Sequence, residues 1–273
     1  MDQPRYSQRR RILDERCKLR KNCEVAWDIY NVILEFEYAY EQGDIALAMS
    51  WLNLLINIEK VNFDIAKYDD GVLYCKCVWE YEEKRMAYLT ELNLELIRFH
   101  YAWSALECLI SYFVPKEKIN QHGKINALCG WLLQKCNINN LPILYNETRM
   151  QVAEELFQEE QFQIEFAEAG IDNFGGTNKS YINESGYGIY MVYRVRNLFA
   201  HGALKFSECF DDEELEQILQ PITISKATTI VLMTITMMFY VDLENDNTMM
   251  EETLYLKDCE GQSICDFLKK LFV

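Results

Sequence analysis

The stretch ATTIVLMTITMMFYV, residues 227–241, carries no charge over fifteen positions, and it constrains the fold more than any other feature of the chain. A helix without a polar face cannot lie on a protein surface; it is enclosed by other helices or by a bilayer. A membrane span needs roughly 20 consecutive apolar residues. This run is shorter and is interrupted by threonines, so residues 222–242 are expected to form a buried core helix, with no membrane role.

The rest of the chain supplies amphipathic helices to enclose it. Val25, Ile29, Val32, Ile33 and Phe36 recur at helical spacing within a predicted helix over 8–41. Gly43-Asp44 reads as a stop followed by an N-cap. A helix over 45–66 follows, with Leu47, Trp51, Leu54, Leu55 and Ile58, and the two suit a hairpin. After the Asp69-Asp70-Gly71 turn, 72–113 stays helical until Pro115 ends it. Further helices are predicted over 122–136 (Ile125, Leu128, Trp131, Leu132) and 146–169, separated by Asn139-Asn140 and Pro142. The Gly-, Ser- and Asn-rich segment 173–188 reads as a loop. The tail, 249–273, closes on a helix in SICDFLKKLF. With half its residues apolar, 4 prolines and no internal repeat, the chain is expected to be all-α.

The formal net charge is −16, which disfavours non-specific binding of nucleic acid over the whole surface. Residues 1–21 run the other way: Arg5, Arg9, Arg10, Arg11, Arg16, Lys18, Arg20 and Lys21 outnumber Asp2, Asp14 and Glu15. A solvated helix start accounts for this; an arm that grips a polyanion is the sharper alternative. The 10 cysteines sit in apolar, helix-like segments, no CxxC pair occurs, and no signal-peptide pattern opens the sequence. A reduced cytoplasmic protein with buried thiols is expected.

The polar residues of VYRVRNLFAHGALKF, 192–206, are harder to reconcile with packing alone. Arg196-Asn197 precede His201 by one helical turn, and Gly202 marks the helix end, where the dipole favours a cation. With 11 arginines and 3 histidines, about 0.36 Arg-to-His spacings with four to six residues between are expected by chance, so spacing alone is weak. Only His201 has such arginines upstream, whereas His100 and His122 read as structural.

Here the sequence resembles the HEPN family (higher eukaryote and prokaryote nucleotide-binding domains). Its hallmark is Arg, usually followed by Asn, His or Asp, then His after four to six residues; Arg196-Asn197-x3-His201 matches it. Arg194 fits the longer spacing, but Val195 follows it, so Arg196 is the better candidate. FHYAWSALECLISYF, 99–113, resembles the family's first core helix, with Glu107 at its acidic position. The resemblance covers roughly 84–245, and the first 80 residues match nothing in that pattern. It implies a HEPN-like up-and-down bundle over 81–245, an N-terminal helical hairpin extension over 1–80 and a tail over 246–273.

The resemblance also implies a metal-independent endoribonuclease, needing no cofactor, in a homodimer whose motifs face each other across a cleft. RNA carries its own nucleophile, the 2′-hydroxyl, so the site needs a proton-transfer group and a cation. His201 suits the first role, since an imidazole exchanges protons near neutral pH. Arg196 suits the second, holding a phosphate and offsetting the charge of the transition state. Asn197 is placed to orient His201 or touch the phosphate, or else simply to bond at the helix end. Glu107 is expected as a buried partner anchoring Arg196, and Arg194 as a supporting residue. Ala203 stands where some HEPN toxins carry a modifiable tyrosine, which argues against silencing by that route; larger phage-defence proteins fit better. An antitoxin or activating partner is compatible. Neither a Walker loop, GxSxG nor HExxH occurs, and no metal-ligand spacing involves histidine. The alternative is a non-catalytic helical module binding a protein or nucleotide partner.

Overall fold

The computed structural model describes residues 21–35, 43–62, 76–136, 141–202, 219–245 and 263–272. Their regular elements are the helices α1 (Asn22–Glu35), α2 (Asp44–Asn57), α3 (Lys76–Phe113), α4 (Lys116–His122), α5 (Lys124–Lys135), α6 (Tyr145–Leu156), α7 (Glu160–Ala169), α8 (Glu184–Ala200), α9 (Pro221–Asn245) and α10 (Ile264–Lys270). Among the described residues there is no strand, only an isolated bridge between Ile171 and Thr177. The protein is all-α.

α9 is the helix that the uncharged run demands. By length and composition it could cross a membrane, yet 83 % of its most apolar window is buried inside the protein. α1, α3, α6, α8 and α10 pack around it. Its threonines are compatible with burial because their hydroxyls are bonded within the helix or to a neighbour. Thr228, Thr234 and Thr236 donate to the carbonyls of Ile224, Ile230 and Leu232 at 3.0, 2.8 and 3.0 Å. Thr229 donates to Asn22 Oδ1 at 2.8 Å, and the Asn22 amide donates to the Ser225 carbonyl at 2.9 Å, tying the start of α1 to α9. Lys226 and Thr223 both reach Glu155 on α6, at 2.6 and 2.7 Å.

α1 and α2 pack as a hairpin, and α2 lies against α3. Val25, Ile29, Ile33, Leu52 and Leu55 belong to the same apolar core as Leu106, Val192 and Ile230. Position 80 falls inside α3.

Several predicted boundaries move. The helix expected over 45–66 stops at Asn57, with Ile58 extended; the Asn57 amide folds back on the Asn53 carbonyl, and Arg98 from α3 captures the Ile58 carbonyl at 3.2 Å. Of the expected 8–41 helix, 22–35 is helical, Lys21 is not, and 8–20 and 36–41 lie outside the described residues, as do 63–75, 203–218 and the basic arm 1–20. The 122–136 helix starts at Lys124, because Gly123 turns left-handed (φ +77°) and separates it from α4. The 146–169 segment breaks at Phe157 into α6 and α7.

The loop expected over 173–188 ends at Asn183, and ESGYG is the first turn and a half of α8. Its glycines serve close packing rather than turning. A Cβ on Gly188 would stand 2.7 Å from Tyr145 Oη and 3.0 Å from Ile230 Cγ2; one on Gly186 would meet Ile182 at 2.9 Å. Tyr145 Oη accepts the Gly188 N–H at 3.0 Å and donates to the Ser185 carbonyl at 2.9 Å, pinning the start of α8 to α6. Burial pushes the Tyr145 phenol up, and pushes the neighbouring Cys129 thiol up to about 12.

Two outcomes follow. Gly-to-Ala in a helix interior ordinarily stabilises by about 0.5–1 kcal/mol, but Gly188→Ala is expected to destabilise by about 1–3 kcal/mol through overpacking, read from urea denaturation. The raised Cys129 value adds stability that is complete below the ordinary thiol value of 9.0 and fades as pH rises toward about 12, because the unfolded chain loses the proton first. The alkaline decline of stability should therefore be shallower in Cys129→Ala than in the parent.

Candidate functional site

The polar residues of 192–206 sit where α8 runs beside α3. The two helices meet through long side chains. Phe199 packs edge-on against Phe99 at 6.0 Å, and Tyr193 stacks on Trp103 at 6.3 Å. Between these rings Arg196 lies with its guanidinium carbon 5.9 Å from the centroid of Trp103. Long helical side chains lean toward the N-terminus of their own helix, and Arg196 Nη2 ends 3.8 Å from Glu107 Oε1.

Glu107 is held from its own helix. The buried Trp103 donates its indole N–H to Glu107 Oε1 at 2.7 Å, a pairing that the spacing of four residues on α3 makes possible. Trp103 thus touches both members of the ion pair, one through its face and one through its edge. The expectation of a buried carboxylate does not hold: Glu107 and Arg196 are each 37 % exposed, because the aromatic residues cover only one side of the pair. One flank of the guanidinium remains open to solvent.

Arg194 is elsewhere. Residues two apart on an α-helix point about 200° apart, and Arg194 Nε lies 2.8 Å from Glu165 Oε1 on α7. The structure brings Arg196 and Glu107 together and leaves Arg194 as a brace between α7 and α8.

α8 ends as the glycine suggests. His201 is its exposed C-cap, with its backbone N–H on the Asn197 carbonyl at 3.0 Å, and Gly202 turns left-handed (φ +63°). His201 follows the half-buried Asn197 by one turn on the same helix. Among the described residues no hydrogen bond or ion pair engages the side chains of Asn197 and His201.

Sequence reasoning missed Lys124. The α4–α5 corner brings its ammonium to the backbone carbonyl of Glu107 at 3.1 Å, so a second cation meets the residue that Arg196 pairs with. The signal was present as a basic segment, KEKINQHGK, in an acidic chain. Burial pushes the nearby Cys108 thiol up, while Lys124 draws it back. Among the described residues no three His, Cys, Asp or Glu side chains are grouped as metal ligands, and Cys23, Cys108 and Cys129 are free thiols.

Searches with this chain against protein families, curated proteins and solved structures return no match.

The two arginines should separate in a stability measurement. Removing the half-buried brace with Arg194→Met is expected to cost about 1 kcal/mol in urea denaturation, whereas Arg196→Met, whose partially exposed pair is screened by solvent, should cost under about 0.5 kcal/mol.

Proposed function

We propose that the protein is a metal-independent endoribonuclease of HEPN type, acting as a homodimer with Arg196 and His201 in the cleft. The observation that carries this reading is the presentation of Arg196: a cation held over Trp103 and beside Glu107, open to solvent on one flank, with exposed His201 at the end of the same helix. A solvent-open guanidinium beside an asparagine and a histidine at one helix end is the set of groups that phosphate binding and proton transfer require.

The chemistry follows from the groups present. Arg196 binds non-bridging oxygens of the scissile phosphate and offsets the charge that accumulates as the pentacoordinate phosphorus forms. The RNA 2′-oxygen attacks that phosphorus while an imidazole takes its proton; the bond to the 5′-oxygen breaks, and a proton is returned to the departing oxygen. The products are a 2′,3′-cyclic phosphate and a 5′-hydroxyl. Two motifs facing each other across a dimer supply one imidazole for each transfer. Asn197 orients His201 or holds a phosphate oxygen, and Glu107 and Trp103 fix the guanidinium. A role in cytoplasmic stress or phage defence, under an antitoxin or activating partner, accords with such an activity.

The strongly acidic surface, −16 overall, favours a second reading, a non-catalytic helical module for a protein or nucleotide partner. The two diverge in a single assay. Total RNA in excess EDTA should be cut by the parent to cyclic-phosphate ends, with losses of about 10²–10³-fold in His201→Ala and Arg196→Ala. Arg194→Met should cut nearly as well as the parent once its lower stability is allowed for. Folded parent that cuts no better than its His201→Ala variant would favour the module.

A further inference from the structure

The acid distribution of the chain has a gap beside the site. Residues 118–146 contain no Asp or Glu, in a chain that has 43 of them. Lys118, His122, Lys124 and Lys135 fall within the gap, and Lys116 lies just before it, next to the lone acid Glu117. These residues build α4, α5 and the turn between them at Gly123. Lys116, Lys118 and His122 are exposed, and neither the Lys116 nor the Lys118 ammonium has a bonding partner among the described residues.

The gap is continuous with the candidate site. Lys124 turns inward from the corner to the Glu107 carbonyl, 3.1 Å away, while Arg196 approaches the Glu107 carboxylate from the other side. α5 also packs directly on α8, the helix that carries Arg196 and His201. Glu107 and Asp44 are the acids whose charges act on Cys108 beside Lys124, and Glu107 already has a cation beside it. Among the described residues, a run of cations in an otherwise acidic chain thus leads toward the guanidinium.

We infer that the α4–α5 corner is a binding track for the sugar–phosphate backbone of single-stranded RNA, with Lys116, Lys118 and Lys124 contacting phosphates outside the scissile one. This rests on the nuclease reading of the site and extends it to substrate recognition. Cations on an exposed turn bind phosphate without reading bases, so the track positions the strand and leaves sequence preference to other contacts. The acidic remainder of the surface discourages binding in other registers.

The test uses the full chain and a fluorescent single-stranded RNA whose 2′-hydroxyls are methylated, so that binding is measured without cleavage. Each phosphate contact on single-stranded nucleic acid contributes about 0.7 to the slope of log affinity against log salt. Lys118→Gln/Lys124→Gln should weaken binding and flatten that slope by about 1.4, the value for two contacts. Lys60→Gln/Lys179→Gln, with the same change in net charge at the end of α2 and in the loop before α8, should leave it unchanged. Lys116→Gln/Lys118→Gln, which removes no internal bond, gives the same comparison should loss of Lys124 disturb folding. With cleavable RNA the track variants should raise KM and leave kcat near the parent value.

Equal effects of track and control pairs, or no binding by the parent at low salt, would overturn the track. If the track pairs weaken binding while the parent cuts no RNA, the track stands and the nuclease reading falls. If His201 and Arg196 are needed for cleavage while the track pairs bind and cut like the parent, the nuclease stands and the track falls.

Discussion

The burial of α9 is the constraint on which the rest of the structure depends. A 25-residue helix with almost no solvent-facing side must be covered on every flank, and α1, α3, α6, α8 and α10 do this. At about 25 cal/mol per Å² of apolar area removed from water, the buried run from Ile224 to Leu243 is a large contributor to the driving force for folding. The cost of enclosing five threonine hydroxyls is limited because each is bonded, three of them only to carbonyls of α9 itself. Asn22 and Glu155 then extend polar anchors outward to α1 and α6.

That enclosure fixes where the candidate site lies. α8 can approach α9 and α6 closely because Gly186 and Gly188 leave no side chain between the helices, and Tyr145 bonds the first turn in place. With its N-terminal half locked, α8 projects its C-terminal half toward α3, where helix-to-helix contact is made by Phe99, Trp103, Tyr193 and Phe199. Arg196 emerges from this aromatic contact and is met by Glu107. The ion pair is half-exposed and adds little to stability, which suits a cation whose role is to meet a phosphate rather than to hold two helices together.

Much of the fold was legible in the sequence because hydrophobic periodicity reports burial directly. The core helix, the N-terminal hairpin, the long third helix and the terminal helix all carry it. The errors fall where one residue has two uses. Gly186 and Gly188 look like loop residues, but here they permit close packing; Gly123, of the same type, does turn the chain. The premature end of α2 depends on Arg98, forty positions away, which local pattern cannot reveal. In the site, the ends of a helix and the approach of an acid four residues from a tryptophan were readable. The separation of Arg194 from Arg196 was not read, because the motif spacing admits both, although a two-residue step crosses the helix. Lys124 was not, because its meeting with Glu107 depends on how α4 and α5 fold back along α3.

At the centre of the proposed mechanism the RNA 2′-oxygen attacks a phosphate held by Arg196. The most direct measurement uses a short RNA whose cut position has been mapped, remade with a single 2′-deoxy nucleotide on the 5′ side of that bond. Cleavage at that bond should disappear, while affinity and cleavage at any neighbouring bond persist. Continued cleavage of the deoxy-substituted bond would show that another nucleophile attacks the phosphorus, and would contradict the mechanism.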